Sequence, residues 1–197
     1  MSAIQILRMW LASIVFMMYP PDRVHPGNLI LQENYKRHVN EVVIDIQEVV
    51  YDRAKTPWLY GKWARAQEAA LATIIAAEES GGFNLGVENG IIRGNRGASW
   101  CLMAMNIGRG RTMEGWSGPD LIADRKKCIT AGVNAMRRSM SVCRANGVLS
   151  GLSAYDTGRC IKNERISVSR VSRAFYYISK KVPTDEAVLV LEATDKR

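Results

Sequence analysis

The chain has 197 residues and a formal net charge of +8, with a pI near 9.5. That length supports one hydrophobic core or at most two small ones, and 47% apolar with 23% charged residues is the composition of a soluble globular protein, which excludes a disordered or fibrous chain. The charge is uneven: residues 91–181 hold 17 Lys/Arg against 5 Asp/Glu, a basic stretch that suits a polyanionic partner such as nucleic acid, acidic lipid or an anionic cell-wall polymer.

"MSAIQILRMWLASIVFMMYPP" opens the chain and is its only long apolar run. It spans about 16 residues with Gln5 and Arg8 inside, fewer than the roughly 20 a spanning helix needs. A secretory signal has basic residues before the run and a small-residue cleavage site after it, and neither is evident. Ile4, Leu7, Leu11, Ile14 and Met18 recur at helical spacing. The expectation is a packed N-terminal helix, with no transmembrane segment and no clear cleavable signal peptide; an uncleaved export signal is the alternative.

Helical patterns continue. Val39, Val42, Val43, Ile46, Val49 and Val50 give "QENYKRHVNEVVIDIQEVVYDRA" a helical face. "TPWLYGKWARAQEAALATIIAAEE" opens with Thr56 before Pro57, a cap and first-turn pair, and ends at Gly81-Gly82, a left-handed stop. Residues 81–97 are glycine-rich and polar, which predicts a long functional loop or a small β-hairpin near 82–98. Ser117 and Pro119 start a helix that runs to about Cys143. "GVLSGLSAYDTGRC" reads as a shorter helix, "ISVSRVSRAFYYISKK" is loosely helical, and "EAVLVLEATDKR" reads as an edge strand or ordered arm. No repeat or linker interrupts the chain. The predicted organisation is mainly α: residues 1–55 a helical extension packed on a domain at 56–181, and 182–197 a C-terminal tail.

Cys101, Cys128, Cys143 and Cys160 contain no Cys-x-x-Cys, and His25 and His38 share no ligand-like spacing. No metal site and no cofactor are expected, and both histidines read as ordinary surface or capping residues. Cys128 and Cys143 fall on one predicted helix, roughly 22 Å apart at 1.5 Å per residue, too far to pair. Two disulfide connectivities remain open, beside four buried free thiols.

"AAEESGGFNLG" ends an apolar helix with two adjacent carboxylates and then paired glycines. The negative end of a helix, a neighbouring carboxylate and the apolar surround of Leu71, Ile74 and Ile75 all favour the protonated form of such a carboxyl. A retained proton suits a general acid, which cleavage of a glycosidic bond requires. On a helical wheel Trp63, Leu71, Ile74 and Ile75 centre near Glu78, with Glu79 about 100° away. Periodicity therefore buries Glu78 and leaves Glu79 at the edge of the core.

Four stretches follow one another: "EESGGF", "GASWCLM" at 97–103, "DRKKCITAG" at 124–132 and "SAYDTG" at 153–158. Together they resemble the soluble-type lytic transglycosylases of the lysozyme-like superfamily. That family ends a helix in Glu-Ser, then has Gly-Ala-Ser-x-Leu-Met, a helix with Asp-Pro-x-x-Asn-Ile-x-x-Gly, and an Ala-Tyr-Asn-x-Gly turn. The resemblance covers about 80 residues, from Glu79 to Gly158. It implies a lysozyme-like helical domain in which Glu79 is the catalytic acid and base, with Glu78 as the alternate. It places Ser80, Ser99, Met103, Tyr155 and Asp156 at the substrate site, with Ser80 orienting the acid or the neighbouring backbone, Tyr155 lining the cleft near the acid and Met103 an apolar floor beneath a sugar ring. The implied reaction cleaves the bond between N-acetylmuramic acid and N-acetylglucosamine in peptidoglycan and leaves a 1,6-anhydro end without using water. The chain departs from the pattern at Ala104, where Gln is usual. Trp100-Cys101 lengthens its block by one residue, Arg125 replaces Pro, and Asp156 replaces Asn.

The partner implied is the peptidoglycan glycan strand, and no nucleic acid is expected. The protein would act in the periplasm or cell wall. The weak export signal points to carriage in a phage virion or placement by a secretion or conjugation machine. Two other readings compete. One is a hydrolytic muramidase with Asp156 as its second carboxylate. The other is an inactive basic virion or nucleic-acid-binding protein. In the transglycosylase reading Arg93, Arg96, Arg109 and Arg111 contact peptide carboxylates or wall phosphates; in the inactive reading the same stretches, "GIIRGNRG" and "GRGRT", are flexible cationic contacts.

Overall fold

The computed structural model describes residues 2–23, 28, 30, 32–52, 54–59, 64–162, 168, 169, 172, 173 and 176. Trp63 and the predicted C-terminal tail lie outside the described residues, as does most of "ISVSRVSRAFYYISKK". The protein is mainly helical: α1 (Ala3–Met18), α2 (Gln32–Val50), α3 (Ala64–Ser80), the single turn α4 (Leu85–Glu88), α5 (Gly118–Ala123), α6 (Arg125–Val142) and α7 (Val148–Thr157). One two-stranded antiparallel sheet joins β1 (Ser99–Trp100) to β2 (Met105–Asn106), with Ser99 opposite Asn106.

α3 occupies the middle. It is rich in alanine, so neighbours approach its backbone closely, and Ala64 through Ala77 are buried apart from Gln67. α1 and α2 pack on α3 and on each other, α6 packs on α2, and α7 packs on α6. One hydrophobic cluster runs from Leu7 and Leu11 of α1 through Val42 and Ile46 of α2 and Ile74 and Ile75 of α3 to Ile129 and Met136 of α6. The first fifty residues therefore share the core of the rest.

Ser2 and Gln5 form a capping box at the start of α1, and Leu7, Trp10, Leu11, Ile14 and Val15 make its buried face. Arg8, the cation within the apolar run, donates to Gln47 Oε1 of α2 at 2.9 Å. By length and composition alone, Ala3–Arg23 is apolar enough to cross a membrane; here Leu7, Trp10, Leu11, Ala12, Ile14 and Val15 are buried, in a helix that packs on α2 and α3, while Met9 is exposed.

Three sequence expectations change. α3 begins at Ala64 and not at Pro57. Described residues before it bond to two buried ionisable side chains of α3. Arg65 donates to the carbonyls of Val50, Asp52 and Lys55, and Glu68 Oε1 accepts the amides of Trp58 and Leu59. These contacts accompany a non-helical path for residues 54–59. The helix expected from Ser117 to Cys143 is two, because Asp124 adopts an extended backbone and its carboxylate caps α6 through the amides of Lys126 and Lys127. The hairpin forms at 99–106. Residues 82–98 instead hold α4, capped by the Asn84 side chain, and a 3-10 turn at Asn95–Gly97.

His38 is not a surface residue. It is buried in α2, with Nε2 3.1 Å from both the Phe83 carbonyl and Glu88 Oε2. Arg125 bridges Glu88 and Asp45, at 3.1 and 2.6 Å. Burial alone would raise the Glu88 carboxyl; His38 and Arg125 outweigh it and hold it below the usual range. This network fastens the segment after α3 to α2 and α6.

Both disulfides are formed, in one of the two connectivities left open: Cys101–Cys128 and Cys143–Cys160. The first ties the hairpin to α6; the second ties the end of α6 to the segment after α7. They close loops of 27 and 17 residues, which by chain entropy stabilise the fold by about 3 kcal/mol each. Replacing either pair by alanine should lower Tm by roughly 6–12 °C in a calorimeter. Unchanged melting would show that the bridges constrain nothing.

Burial raises the Glu68 carboxyl to about 7, despite the Leu59 and Trp58 amides and the positive charges of Arg137 and Arg65. The folded state thus keeps a proton that the unfolded chain releases near 4.5. The stabilisation is full below 4.5 and is lost as pH rises to about 7, an effect on the order of 3 kcal/mol. Urea midpoints should fall between pH 5 and pH 8 in the wild type and stay flat in Glu68→Gln. An equal slope in both would assign the dependence elsewhere.

Candidate catalytic cleft

The cleft is built at the end of α3. Ser80 closes that helix with both functions of one hydroxyl, donating to the Ala76 carbonyl at 2.5 Å and accepting from the Phe83 amide at 2.9 Å. Gly81 and Gly82 then take left-handed backbones, φ 64° and 83°, which suit residues without a Cβ. At Gly82 a Cβ would also lie 2.7 Å from the Tyr19 ring. The paired glycines turn the chain within two residues, so Glu79 stands on the last turn beside open space.

That space is a cavity of about 430 Å³ between the end of α3, the β1–β2 hairpin, α6 and the last turn of α7. Glu79, Met103, Ala104, Arg138, Tyr155 and Asp156 line it. The structure therefore brings together four of the residues that the resemblance selects: Glu79, Met103, Tyr155 and Asp156. Tyr155 Oη donates to the Met103 carbonyl at 2.8 Å, which fastens α7 to the hairpin across the cleft floor. Met103 itself is buried, packed over Gly132 of α6, where a Cβ would come within 2.6 Å of its side chain.

Glu78 takes a different place. Its carboxylate pairs with Arg173, Oε1 to Nε at 3.0 Å, and it does not line the cleft. The wheel had opposed the two glutamates because it assumed a one-sided helix. α3 is enclosed on nearly all sides, so an amphipathic direction says little about either one.

Two of the residues expected at the substrate site stand behind the cleft wall. Ser80 is buried with its hydroxyl engaged by backbone on both sides, so it positions Glu79 and does not reach the cleft. Ser99 is buried on β1, where its Oγ accepts from Asn95 Nδ2 at 2.9 Å; it is Asn95 that lines the cleft.

The hairpin carries backbone strain. Asn95, Arg96, Cys101 and Ala104 have φ between 47° and 59°, a region that costs a non-glycine residue about 1–2 kcal/mol. Ala104 closes the turn through its amide to the Cys101 carbonyl at 3.0 Å. The disulfide to Cys128 ties Cys101, at the start of this turn, to α6.

Sequence reasoning missed Asn95, Asn106 and Arg138, all of which line the cleft. Arg138 is aimed by Glu114, Nη1 to Oε1 at 3.0 Å, and Asn134 donates to the same oxygen at 3.1 Å. Burial would raise the Glu114 carboxyl; hydrogen bonding to Arg138 overrides this and lowers it. Arg138 carried no signal, because its partner lies 24 residues away on a loop. Chemically the cleft offers two carboxylates, one guanidinium, two primary amides and a methionine floor: groups suited to hydroxyl- and amide-bearing sugars and to proton transfer. Among the described residues no group of three or more His, Cys, Asp or Glu is placed to hold a metal ion.

No protein-family model matches the chain, and neither a curated protein nor a solved structure matches it.

Proposed function

We propose that the protein is a peptidoglycan lytic transglycosylase with a lysozyme-like helical domain. The observation that carries this reading is the convergence of Glu79, Met103 and Tyr155, from three separate stretches of chain, on one cavity. The order of elements also supports it: a buried helix ending beside the acid, a short hairpin, a capped helix, and then α7, at whose end lies "SAYDTG".

In this mechanism Glu79 donates its proton to the glycosidic oxygen, and the bond from that oxygen to the muramic C1 breaks. The resulting carboxylate accepts the proton of the muramic 6-hydroxyl as that oxygen closes on C1. The product is a 1,6-anhydro sugar, the acid is regenerated and no water is consumed. Arg138 and the amides of Asn95 and Asn106 hold the sugar substituents, and Met103 packs beneath a ring.

Asp156 supports a second reading. It lines the same cavity as Glu79, and a carboxylate there can activate water where an amide cannot. The protein would then be a hydrolytic muramidase. The two disulfides support action outside the reducing cytosol, in the periplasm or wall. Delivery by a virion or a secretion machine fits that site of action.

Glu79→Gln should lower the rate of release of soluble fragments from purified peptidoglycan by about 10²–10⁴-fold, the range for loss of a general acid. Glu78→Gln should keep activity within roughly tenfold of wild type, because that residue meets the reaction only through its neighbours. Full activity in Glu79→Gln would remove the assignment. Mass spectrometry of the fragments separates the two chemistries: anhydro ends for transglycosylation, free reducing ends for hydrolysis.

A further inference from the structure

Two loops stand at one end of the cleft. Residues 91–98 bring Asn95 to the cleft wall and carry Arg93 and Arg96. Residues 107–113 leave the wall at Ile107 and carry Arg109 and Arg111. Hydrogen bonds join the loops: the Gly108 amide donates to the Ala98 carbonyl at 3.0 Å, and Trp100 Nε1 donates to the Gly108 carbonyl at 2.8 Å. The Trp100 indole is seated on Gly118, where a Cβ would lie 2.2 Å away, and the Arg93 guanidinium stands 4.3 Å from a Trp100 ring centroid. The end of the cleft is thus one built surface.

All four arginines are exposed, and among the described residues none of them pairs with a carboxylate. The acids nearby in sequence are committed: Glu114 to Arg138, and Asp120 to the Ser117 hydroxyl and amide. Among the described residues the surface therefore carries guanidinium groups in no ion pair, Arg111 donating to the Gly115 carbonyl at 2.6 Å and acting on Asp120 only at longer range, and it is continuous with the wall of a cavity that holds the catalytic carboxyl.

We propose that this face binds the carboxylates of the peptides attached to the glycan strand in the cleft, so that the protein selects peptide-bearing wall over bare glycan. The inference rests on the transglycosylase reading of the cleft. Guanidinium forks match carboxylates in geometry. Each exposed contact is weak, so selectivity comes from several acting together and weakens with salt. Continuity with the cleft favours the strand's own peptides over a separate polymer. A single-stranded nucleic acid would need open aromatic platforms, and the Trp100 ring is occupied by Arg93 and Gly118.

The test uses the full chain carrying Glu79→Gln, which binds without cutting, in sedimentation with insoluble peptidoglycan freed of phosphate polymers. The same glycan after enzymatic removal of its peptides is the comparison. Binding to the peptide-bearing form should be about tenfold tighter at low salt and converge on the bare form at high salt, as for a set of exposed ion pairs. Adding Arg93→Gln, Arg96→Gln, Arg109→Gln and Arg111→Gln together should abolish the difference and leave binding to bare glycan and Tm unchanged. Four lysines at these positions should retain it. Equal binding of both glycans, or a difference that survives the glutamines, overturns the proposal. So does arginine-dependent binding that is tighter to duplex DNA, anionic vesicles or the phosphate polymer than to the peptide-bearing wall. Cleavage by the wild-type chain is read separately. Selective binding without cleavage sinks the enzyme reading alone, and cleavage without selectivity sinks this face alone.

Discussion

A helix buried on nearly every side has to end somewhere, and its last carbonyls need partners that water does not supply. In α3 that need is met within four residues. The Ser80 hydroxyl takes the Ala76 carbonyl, the Gly82 amide takes the Ala77 carbonyl at 2.7 Å, and the Phe83 amide returns to Ser80. Phe83 is then fully buried and its carbonyl reaches His38. The turn is fixed from both ends, so the residue just before it has little freedom. Glu79 owes its position to this closure, and the adjacent Glu78, one step back on the helix, faces Arg173 instead.

The opposite wall needs its own support, because its backbone is strained. Four non-glycine residues of the 95–104 segment hold left-handed conformations, a cost of several kcal/mol that the segment alone would relieve by opening. α6 prevents that. Its first turn supplies Cys128 to Cys101, its middle supplies the surface on which Met103 rests, and Arg138 reaches back to Glu114 on the loop that follows the hairpin. At its N-terminus Arg125 grips Asp45 and Glu88. One helix thus carries attachments to α2, to the turn after α3 and to the hairpin. The second disulfide adds the segment that follows Tyr155.

Much of this was legible in the chain and some was not, for physical reasons. α1, α2 and α7 were readable because apolar periodicity and glycine stops are local signals. The start of α3 was misread because Thr56-Pro57 is a good local cap, whereas Arg65 and Glu68 act from inside the helix on the residues that precede it. The break at Asp124 was hidden because an aspartate inside a polar helical run reads as solvent-facing until its carboxylate is seen on two amides. His38 looked incidental because both of its partners, Phe83 and Glu88, lie about 45–50 residues away. At the site, Glu79, Met103, Tyr155 and Asp156 came from motif order. Ser80 and Ser99 came from the same motifs, but their roles are to hold backbone and Asn95. A motif records that a residue type is needed and does not say on which side of the wall it stands.

Asp156 is where the chemistry of the cleft is decided. Under the proposed mechanism one carboxyl both gives and receives the proton, and the sugar's own hydroxyl takes the place of water. That outcome requires that no second base in the cavity activate a water molecule on the sugar's other face. An asparagine meets the requirement, since an amide accepts hydrogen bonds but does not take up a proton near neutrality. An aspartate meets it only when its charge is already engaged or it lies outside the path of attack. Asp156 shares the cavity with Arg138, a guanidinium whose aim is set by Glu114. Under the proposed mechanism Asp156, which lines the cavity with Glu79, stands off the path of attack; under the hydrolytic reading it is the base that activates water.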